Sequence, residues 1–354
     1  MDTNSHTHQL PWRTTPLIRS KILSNSAGCN IFLKLEFLQP SGSFKSRGIG
    51  NLCLESLKHE TPEVAAKTHF YSSSGGNAGL GCVHAASSLG AQSTVVVPLS
   101  TTEYMMSKVR QAGASDVIQH GKSWAEADSH LRDVVIPAAK ARGINAVYVH
   151  PFDRQEVWTG HSTMIDEVVD QLQREEQSTP DVVVCSVGGG GLLAGVMEGL
   201  DRHGLGHTTQ VLAMETRGAD SLHQAVQKGK LVTLSGINSI AGSLGARTVC
   251  QRALEVGLRN NVLPCVLDDA EAGMACVRFA EDERILLEIS CGINVAVCYN
   301  NRLKTLLPTF NPDLNVVIVV CGGNNINLEI LQGYKDDWGH LEFGDIFPNH
   351  SQVS

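Results

Sequence analysis

Short apolar runs rich in β-branched residues alternate along this chain with longer segments of helical period. NIFLKLE (30–36), THFYSSS (68–74), STVVVP (93–98), SDVIQH (115–120), NAVYVH (145–150), DVVVCSV (181–187), QVLAMET (210–216), NVLPCVL (261–267) and NVVIVVCGG (315–323) read as strands. Between them, Asn77 to Leu89, Glu103 to Ala112, Glu126 to Ala141 and Leu192 to His203 can form helices. Strand, helix, strand in this order predicts an α/β fold, with parallel sheets covered by helices on both faces.

At 354 residues the chain exceeds what one hydrophobic core usually organises, so two lobes are expected. Its 42% hydrophobic and 18% charged residues describe a folded globular protein. Lys plus Arg total 28 against 36 Asp plus Glu, and no long basic run is present, which argues against nucleic acid as a partner. Ten cysteines are scattered through apolar runs without a C-x2-C spacing, and no H-E-x-x-H occurs. They read as reduced, buried thiols rather than zinc ligands. The opening MDTNSHTHQLPW lacks an apolar signal core and no run of 18 apolar residues occurs, so a cytoplasmic protein without a membrane anchor is expected. Arg174 to Pro180 is the best linker candidate, and the tail from Gly333 is expected to be loosely ordered.

In open α/β sheets ligands bind outside the carboxyl ends of the strands, which makes four loops informative. Gly188, Gly189, Gly190 and Gly191 follow DVVVCSV, where free amides and the positive end of a helix suit a phosphate. Gly189, Gly191 and Ala194 also satisfy G-x-G-x-x-A, and Glu215 ends the next strand, so a dinucleotide site competes. Lys45 lies among Pro40, Ser41, Gly42, Ser43 and Phe44; desolvation there would lower its pKa and free a neutral amine for a Schiff base. The loop Ser72, Ser73, Ser74, Gly75, Gly76, Asn77 precedes a helix and can hold a carboxylate, or it is an ordinary N-cap. Cys321, followed by Gly322 and Gly323, ends a buried strand as a ligand-facing or a structural thiol.

GSFKSRG, SSSGGNAG, SVGGGGLLAG and VVCGGNN, in this order, resemble the fold-type II pyridoxal phosphate enzymes (tryptophan synthase β-like), most closely the L-serine branch of the serine/threonine dehydratases. The resemblance runs from about Thr15 to about Leu331. It implies that Lys45 is the Schiff-base and acid/base lysine, that Phe44 packs on the cofactor ring, and that Asn77 bonds its phenolic oxygen. Gly188 to Gly191 would hold the phosphate and Cys321 would face the pyridine nitrogen. Ser73, Ser74, Gly75, Gly76 and Asn77 would receive the substrate carboxylate. Glu215, with Ala219, Leu244 and Ala246, would hold a monovalent cation, potassium.

The activity so implied is β-elimination of L-serine to pyruvate and ammonia by a homodimer acting on a free amino acid. The domains implied are 1–39 with 149–335 as a large cofactor-binding part, 40–148 as a small inserted part with the cofactor between them, and 336–354 as a tail. After the match ends too few residues remain for an allosteric module. Threonine deamination or another β-elimination or replacement would use the same residues; a dinucleotide oxidoreductase or a non-catalytic amino-acid-binding protein are the readings from other classes. The chain departs from the family's Glu-Pro-x-Cys-Gly-Ala, having Glu288-Ile289-Ser290-Cys291-Gly292-Ile293, and carries Asn238 where a threonine is expected.

Overall fold

The computed structural model describes residues 10–58 and 60–341. These divide into two compact units: 10–14 with Leu38–Thr163, and Thr15–Phe37 with 164–341. The boundary at 163/164 falls inside one helix, Gln155–Glu175, and the polar stretch 174–180 lies wholly within the second unit. It is therefore not a linker. Residues 328–338 form a helix, so the expected loose tail from Gly333 is wrong up to Trp338; residues 342–354 lie outside the described part.

Among the described residues there are ten strands: β1 Leu17–Ser20, β2 Asn30–Lys34, β3 Thr68–Ser72, β4 Gln92–Val97, β5 Asp116–Gln119, β6 Asn145–Tyr148, β7 Val182–Ser186, β8 Gln210–Thr216, β9 Val262–Leu267 and β10 Asn315–Val319. Nine coincide with the predicted apolar runs. The tenth, β1, reads Leu-Ile-Arg-Ser, an apolar pair followed at once by polar residues, so no apolar run marks it.

The first unit contains a four-stranded sheet in the order β5-β4-β3-β6, parallel throughout. Its middle strand β3 is buried at all five positions, as a strand covered on both faces must be. Phe70, Cys82, Ala85 and Ile49 fill one side of it, and Val95, Val97, Met106 and Val109 form a further cluster. Each such buried aliphatic or aromatic side chain contributes roughly 1.5–3 kcal/mol.

The second unit holds a six-stranded sheet, β1-β2-β10-β7-β8-β9, parallel except for β1. Pro264 has no N–H to give a neighbour, and its strand β9 accordingly lies at the edge. Lys34 is fully buried on β2, where its ammonium donates to Thr15 O (2.7 Å), Glu167 Oε2 (2.7 Å) and Gln171 Oε1 (3.0 Å). A buried ammonium is tolerable only with such a full set of acceptors.

The segment expected as one helix from Glu126 to Ala141 is interrupted. A helix over Trp124–His130, started by Ser123 Oγ accepting from Glu126 N, passes through a wide π turn at Leu131–Val135 and resumes at Ile136–Ala141. Pro137 lacks the amide an uninterrupted α-helix would use at that point.

Candidate functional site

In the first unit, the loop 39–46 is tied down before it reaches Lys45. Gly42, at φ +75°, closes a turn by donating to Gln39 O (2.8 Å), and the hydroxyls of Ser41 and Ser46 lie 2.8 Å apart. A side chain at Gly42 would be strained at that φ. Lys45 opens the helix Lys45–Lys58, and its Nζ donates to the carbonyl of Pro151 at 2.6 Å while lying 5.2 Å from the centre of the Phe44 ring. The other face of this aromatic cluster is the imidazole of His161, 4.9 Å from Phe44. Burial first, then the nearby cations Lys45 and Arg47, press His161 well below the ordinary histidine range, so it is neutral.

The loop after β3 lies on the same unit. Its following helix, Asn77–Ser88, packs against the Lys45 segment so closely that a Cβ at Gly81 would sit 3.4 Å from Lys45 Cβ. Gly76 is the N-cap and supplies no side-chain cap, so the ordinary N-cap reading of this loop does not hold. Gly79 is required for the turn: a Cβ there would fall 1.7 Å from the Ser74 carbonyl oxygen. Gly75 packs under Val97 and Thr101, with 2.8 Å from a would-be Cβ to Val97 Cγ1. The hydroxyls of Ser43 and Ser72 are buried without a hydrogen-bond partner, two orphaned polar atoms flanking the lysine and asparagine loops.

The Ser73 hydroxyl has a partner the sequence did not reveal. It donates to Asp128 Oδ1 (2.7 Å), which also receives the Tyr148 hydroxyl (2.5 Å), while Arg132 Nε donates to Oδ2 (2.8 Å). Asp128 is buried, and Tyr148 titrates far above its ordinary value through burial and through this carboxylate. Next to Tyr148, His150 accepts from the amides of Phe152 (3.2 Å) and Asp153 (2.8 Å) through Nδ1, so its proton resides on Nε2. Burial pushes this imidazole down to about 4, against the pull of Asp128, and it is neutral at physiological pH. Nothing in the sequence ties Asp128 to Ser73 or Tyr148, 55 and 20 positions away. His150 was within reach, since it stands at a strand end where ligands are expected.

In the second unit, β7 runs into Gly188–Gly191 and then the helix Gly191–Arg202. Gly190 holds φ +88°, gives the helix no side-chain cap, and would drive a Cβ to 2.3 Å from that of Ala253. A Cβ on Gly188 would meet Ser243 O at 2.9 Å and Leu244 Cα at 3.2 Å. The loop is thus a cradle of bare backbone with amides at a helix start, the form a phosphate requires.

Glu215 does not face solvent. It is fully buried, and its two oxygens accept from the amides of Leu222 and His223, each at 2.8 Å, at the start of the helix Ser221–Lys228. Burial raises its pKa to about 8 against the opposing pull of those amides. Ala219 and Leu244 are buried, and the carbonyl of Ala246 accepts from Ser221 Oγ at 3.0 Å. Asn238 is locked to Gly218, donating to its carbonyl at 3.0 Å.

Cys321 follows β10, and its sulfur lies 3.7 Å from Ser186 Oγ, at the end of the strand that leads into the glycine cradle. Gly322 and Gly323 both have positive φ, and a Cβ on Gly323 would collide with Glu288 at 2.0 Å. Ile289 and Ile293 are both buried on the helix Ile289–Ala296.

The predicted residues thus gather in two groups. Phe44, Lys45 and the loop from Ser73 to Asn77 belong to the first unit. Gly188–Gly191, Glu215, Ala219, Leu244, Ala246 and Cys321 belong to the second. In the second unit, an uncapped helix start and a cradle that a Cβ would fill suit a phosphate group; in the first, Lys45 offers the amine that an aldehyde would take. A separate polar groove of about 610 Å³, lined by residues such as His207, Arg259 and Asn261, opens at the amino ends of β8 and β9 and carries none of these groups.

Comparison with known proteins bears on the chemistry. The family described as pyridoxal-phosphate dependent enzyme matches residues 9–322. An L-serine dehydratase of Saccharomyces cerevisiae is 39% identical over 324 residues, 90% of this chain and 96% of that protein. A catabolic L-serine/threonine dehydratase of the same species is 36% identical over 354 residues, 97% and 98%. The crystal structure of an L-serine ammonia-lyase from Rhizomucor miehei superposes with a TM-score of 0.84 at 34% identity, covering 93% of this chain and all of that one.

Proposed function

We propose, from the premise that this chain belongs to the pyridoxal-phosphate-dependent enzyme family, that it dehydrates and deaminates L-serine to pyruvate and ammonia. The observation that carries this reading is Lys45 itself. It stands at a helix start beside Phe44, its amine held on the Pro151 carbonyl, in a chain whose relatives bear L-serine dehydratase names.

When bound, pyridoxal phosphate supplies the electron sink that lets a proton leave the amino-acid α-carbon. The rest is the work of this chain's residues. Lys45 would hold the cofactor beside Phe44, and the amides of Gly188–Gly191 would take its phosphate. Asn77 and Cys321 would serve its ring oxygen and ring nitrogen. The loop of Ser73, Ser74, Gly75 and Gly76 would receive the substrate carboxylate, with Ser73 braced by Asp128. The amine of Lys45 would take the α-proton and return a proton to the departing β-hydroxyl. Water then replaces nitrogen on carbon, so serine yields pyruvate and ammonia with no net oxidation.

A monovalent cation, potassium, belongs to the same reading. Glu215 is a buried carboxylate whose hydrogen bonds are to two amides only, and burial disfavours its charge. A cation held with the carbonyls of Ala219, Leu244 and Ala246 would neutralise it and brace the loop of Gly188, which packs on Leu244. The ten cysteines are all buried and unbridged, which suits a reducing, cytoplasmic setting, and no described helix is long and apolar enough to cross a membrane. The assembly we expect is a homodimer, read by light scattering.

Threonine is the second substrate to consider, because one relative is named for both amino acids. A single methyl group discriminates by only about 1–3 kcal/mol, so serine is expected to lead without excluding threonine. The test is keto-acid production from each, with the visible absorbance of the purified protein. Serine ahead in kcat/KM supports the reading; threonine ahead by tenfold or more reassigns the substrate, and no keto acid from either overturns the enzyme.

A further inference from the structure

A buried thiol on a strand normally gives its proton to the nearest backbone carbonyl. Cys265, on β9, shows this: its S–H points to Leu263 O, two residues back, at 3.3 Å. The equivalent carbonyl for Cys321 belongs to Val319, and it is already engaged. The side-chain amide of Asn294 donates to Val319 O at 2.9 Å, and the same nitrogen lies 3.5 Å from Cys321 Sγ. Toward Asn294 the sulfur is an acceptor, where Cys265 is a donor.

Asn294 is completely buried on the helix Ile289–Ala296, and its Oδ1 has no hydrogen-bond partner. Rotating the amide by half a turn would not help, since oxygen would then face the Val319 carbonyl. An orphaned amide oxygen in a dry core opposes folding, and a leucine of similar size would carry no such cost. Stability therefore does not account for an asparagine here. The other groups around the sulfur are the hydroxyl of Ser186 at 3.7 Å and the thiols of Cys185 and Cys291, all uncharged; burial raises both of those thiols well above their usual range, and a hydrogen bond with the Cys321 thiol raises Cys291 further.

We propose that Asn294 is the positioning residue of the Cys321 thiol: by occupying the Val319 carbonyl and donating to Sγ, it denies the thiol its default acceptor and keeps the S–H for an acceptor outside the backbone. Under the functional reading above, on which this inference rests, that acceptor is the pyridine nitrogen of the cofactor. A sulfur that accepts one hydrogen bond is also a better donor through its own proton, because successive hydrogen bonds polarise one another. Asn294 would thus hold the ring nitrogen in a neutral, hydrogen-bonded state without a carboxylate.

The test uses the full-length protein with Asn294→Leu, alone and in a Cys321→Ala background. Three quantities are read: the visible spectrum of the bound cofactor across pH, kcat and KM for L-serine, and the S–H stretching band of Cys321 in cofactor-free protein, isolated as a difference against Cys321→Ala. Asn294→Leu should fold with an unchanged or higher melting temperature. It should lower kcat three- to tenfold with KM within twofold, change the visible spectrum, and shift the S–H band toward that of a thiol bonded to a carbonyl. In the Cys321→Ala background the same substitution should change neither spectrum nor kcat further. If Asn294→Leu does not fold, Asn294→Ser, which also withdraws the amide, takes its place with the same expectations.

A folded variant with an unmoved S–H band, or with spectral and kinetic changes of equal size whether or not Cys321 is present, overturns the inference. Wild-type protein that takes up no pyridoxal phosphate overturns the functional reading and this inference with it. Uptake without coupling between positions 294 and 321 overturns only the inference.

Discussion

The two units present their strand ends in opposite ways. In the first, side chains crowd the carboxyl ends of the sheet: Lys45 on the Pro151 carbonyl just past β6, and the Asp128 carboxylate receiving Ser73 and Tyr148, with neutral His150 alongside. In the second, the corresponding ends offer bare backbone at Gly188–Gly191, with a buried carboxylate and a buried thiol behind it. Side chains can move protons, whereas backbone amides can only grip. Substitutions of the first unit's side chains should therefore act mainly on turnover, and those in the second unit's glycine cradle mainly on cofactor retention.

The largest effect is expected at Lys45. Lys45→Ala should lower kcat/KM for L-serine by roughly 10²–10⁴-fold, the usual range for a positioned acid/base, and abolish the visible absorbance that survives dialysis. Retention of both would move the chemistry to another lysine.

Gly190→Ala tests the gripping half of the comparison. The left-handed backbone alone costs a non-glycine residue roughly 1–2 kcal/mol, and the new Cβ must also clear Ala253. The cofactor dissociation constant should rise tenfold or more, while kcat measured at saturating cofactor changes little. A drop confined to kcat would break the division of labour between the units.

Asp128→Asn is the complementary change in the first unit. It keeps the shape but withdraws the charge that anchors Ser73, Tyr148 and Arg132, and kcat should fall about tenfold at an unchanged cofactor affinity; hydrogen bonds to a charged partner are worth about 1.5–3 kcal/mol. Equal turnover would return Asp128 to a purely structural role.

The smallest effect is the pH dependence of potassium. In the folded chain Glu215 titrates at about 8, against an ordinary value of 4.5. Its favourable contribution to folding is complete below pH 4.5 and is lost as the pH climbs to 8, where an ionised carboxylate has to be buried. A cation beside it would offset that loss. The stabilisation by potassium, relative to a bulky organic cation, should be close to zero at pH 5 and grow to about 1–3 kcal/mol at pH 8, and Glu215→Gln should abolish it. A potassium effect of constant size across this range would place the ion elsewhere.

What the sequence revealed and what it withheld follow from the physics of each element. Nine strands were legible because parallel strands covered on both faces are continuous apolar runs, and four loops were legible because glycines or a lysine interrupt those runs at their carboxyl ends. The short edge strand β1 escaped, since Leu17 and Ile18 are followed at once by Arg19 and Ser20 and form no apolar run. Glu215 was visible as a residue but not as a buried one: its burial depends on the helix Ser221–Lys228 returning two amides to it. Asp128 and Tyr148 were missed for the same reason, because a partnership across 20 to 55 positions leaves no local mark. Asn294 sits next to a departure that was noticed, Ile293, yet its meaning appears only with the carbonyl of Val319 beside it.

The account rests most on Lys45 carrying the cofactor, and borohydride tests that directly. Reducing the protein reconstituted with pyridoxal phosphate, then digesting it and weighing the peptides, should place a single phosphopyridoxyl group on the peptide containing Lys45, with L-serine turnover lost in parallel. A label on any other lysine, or no label in protein that still makes pyruvate from L-serine, would contradict it.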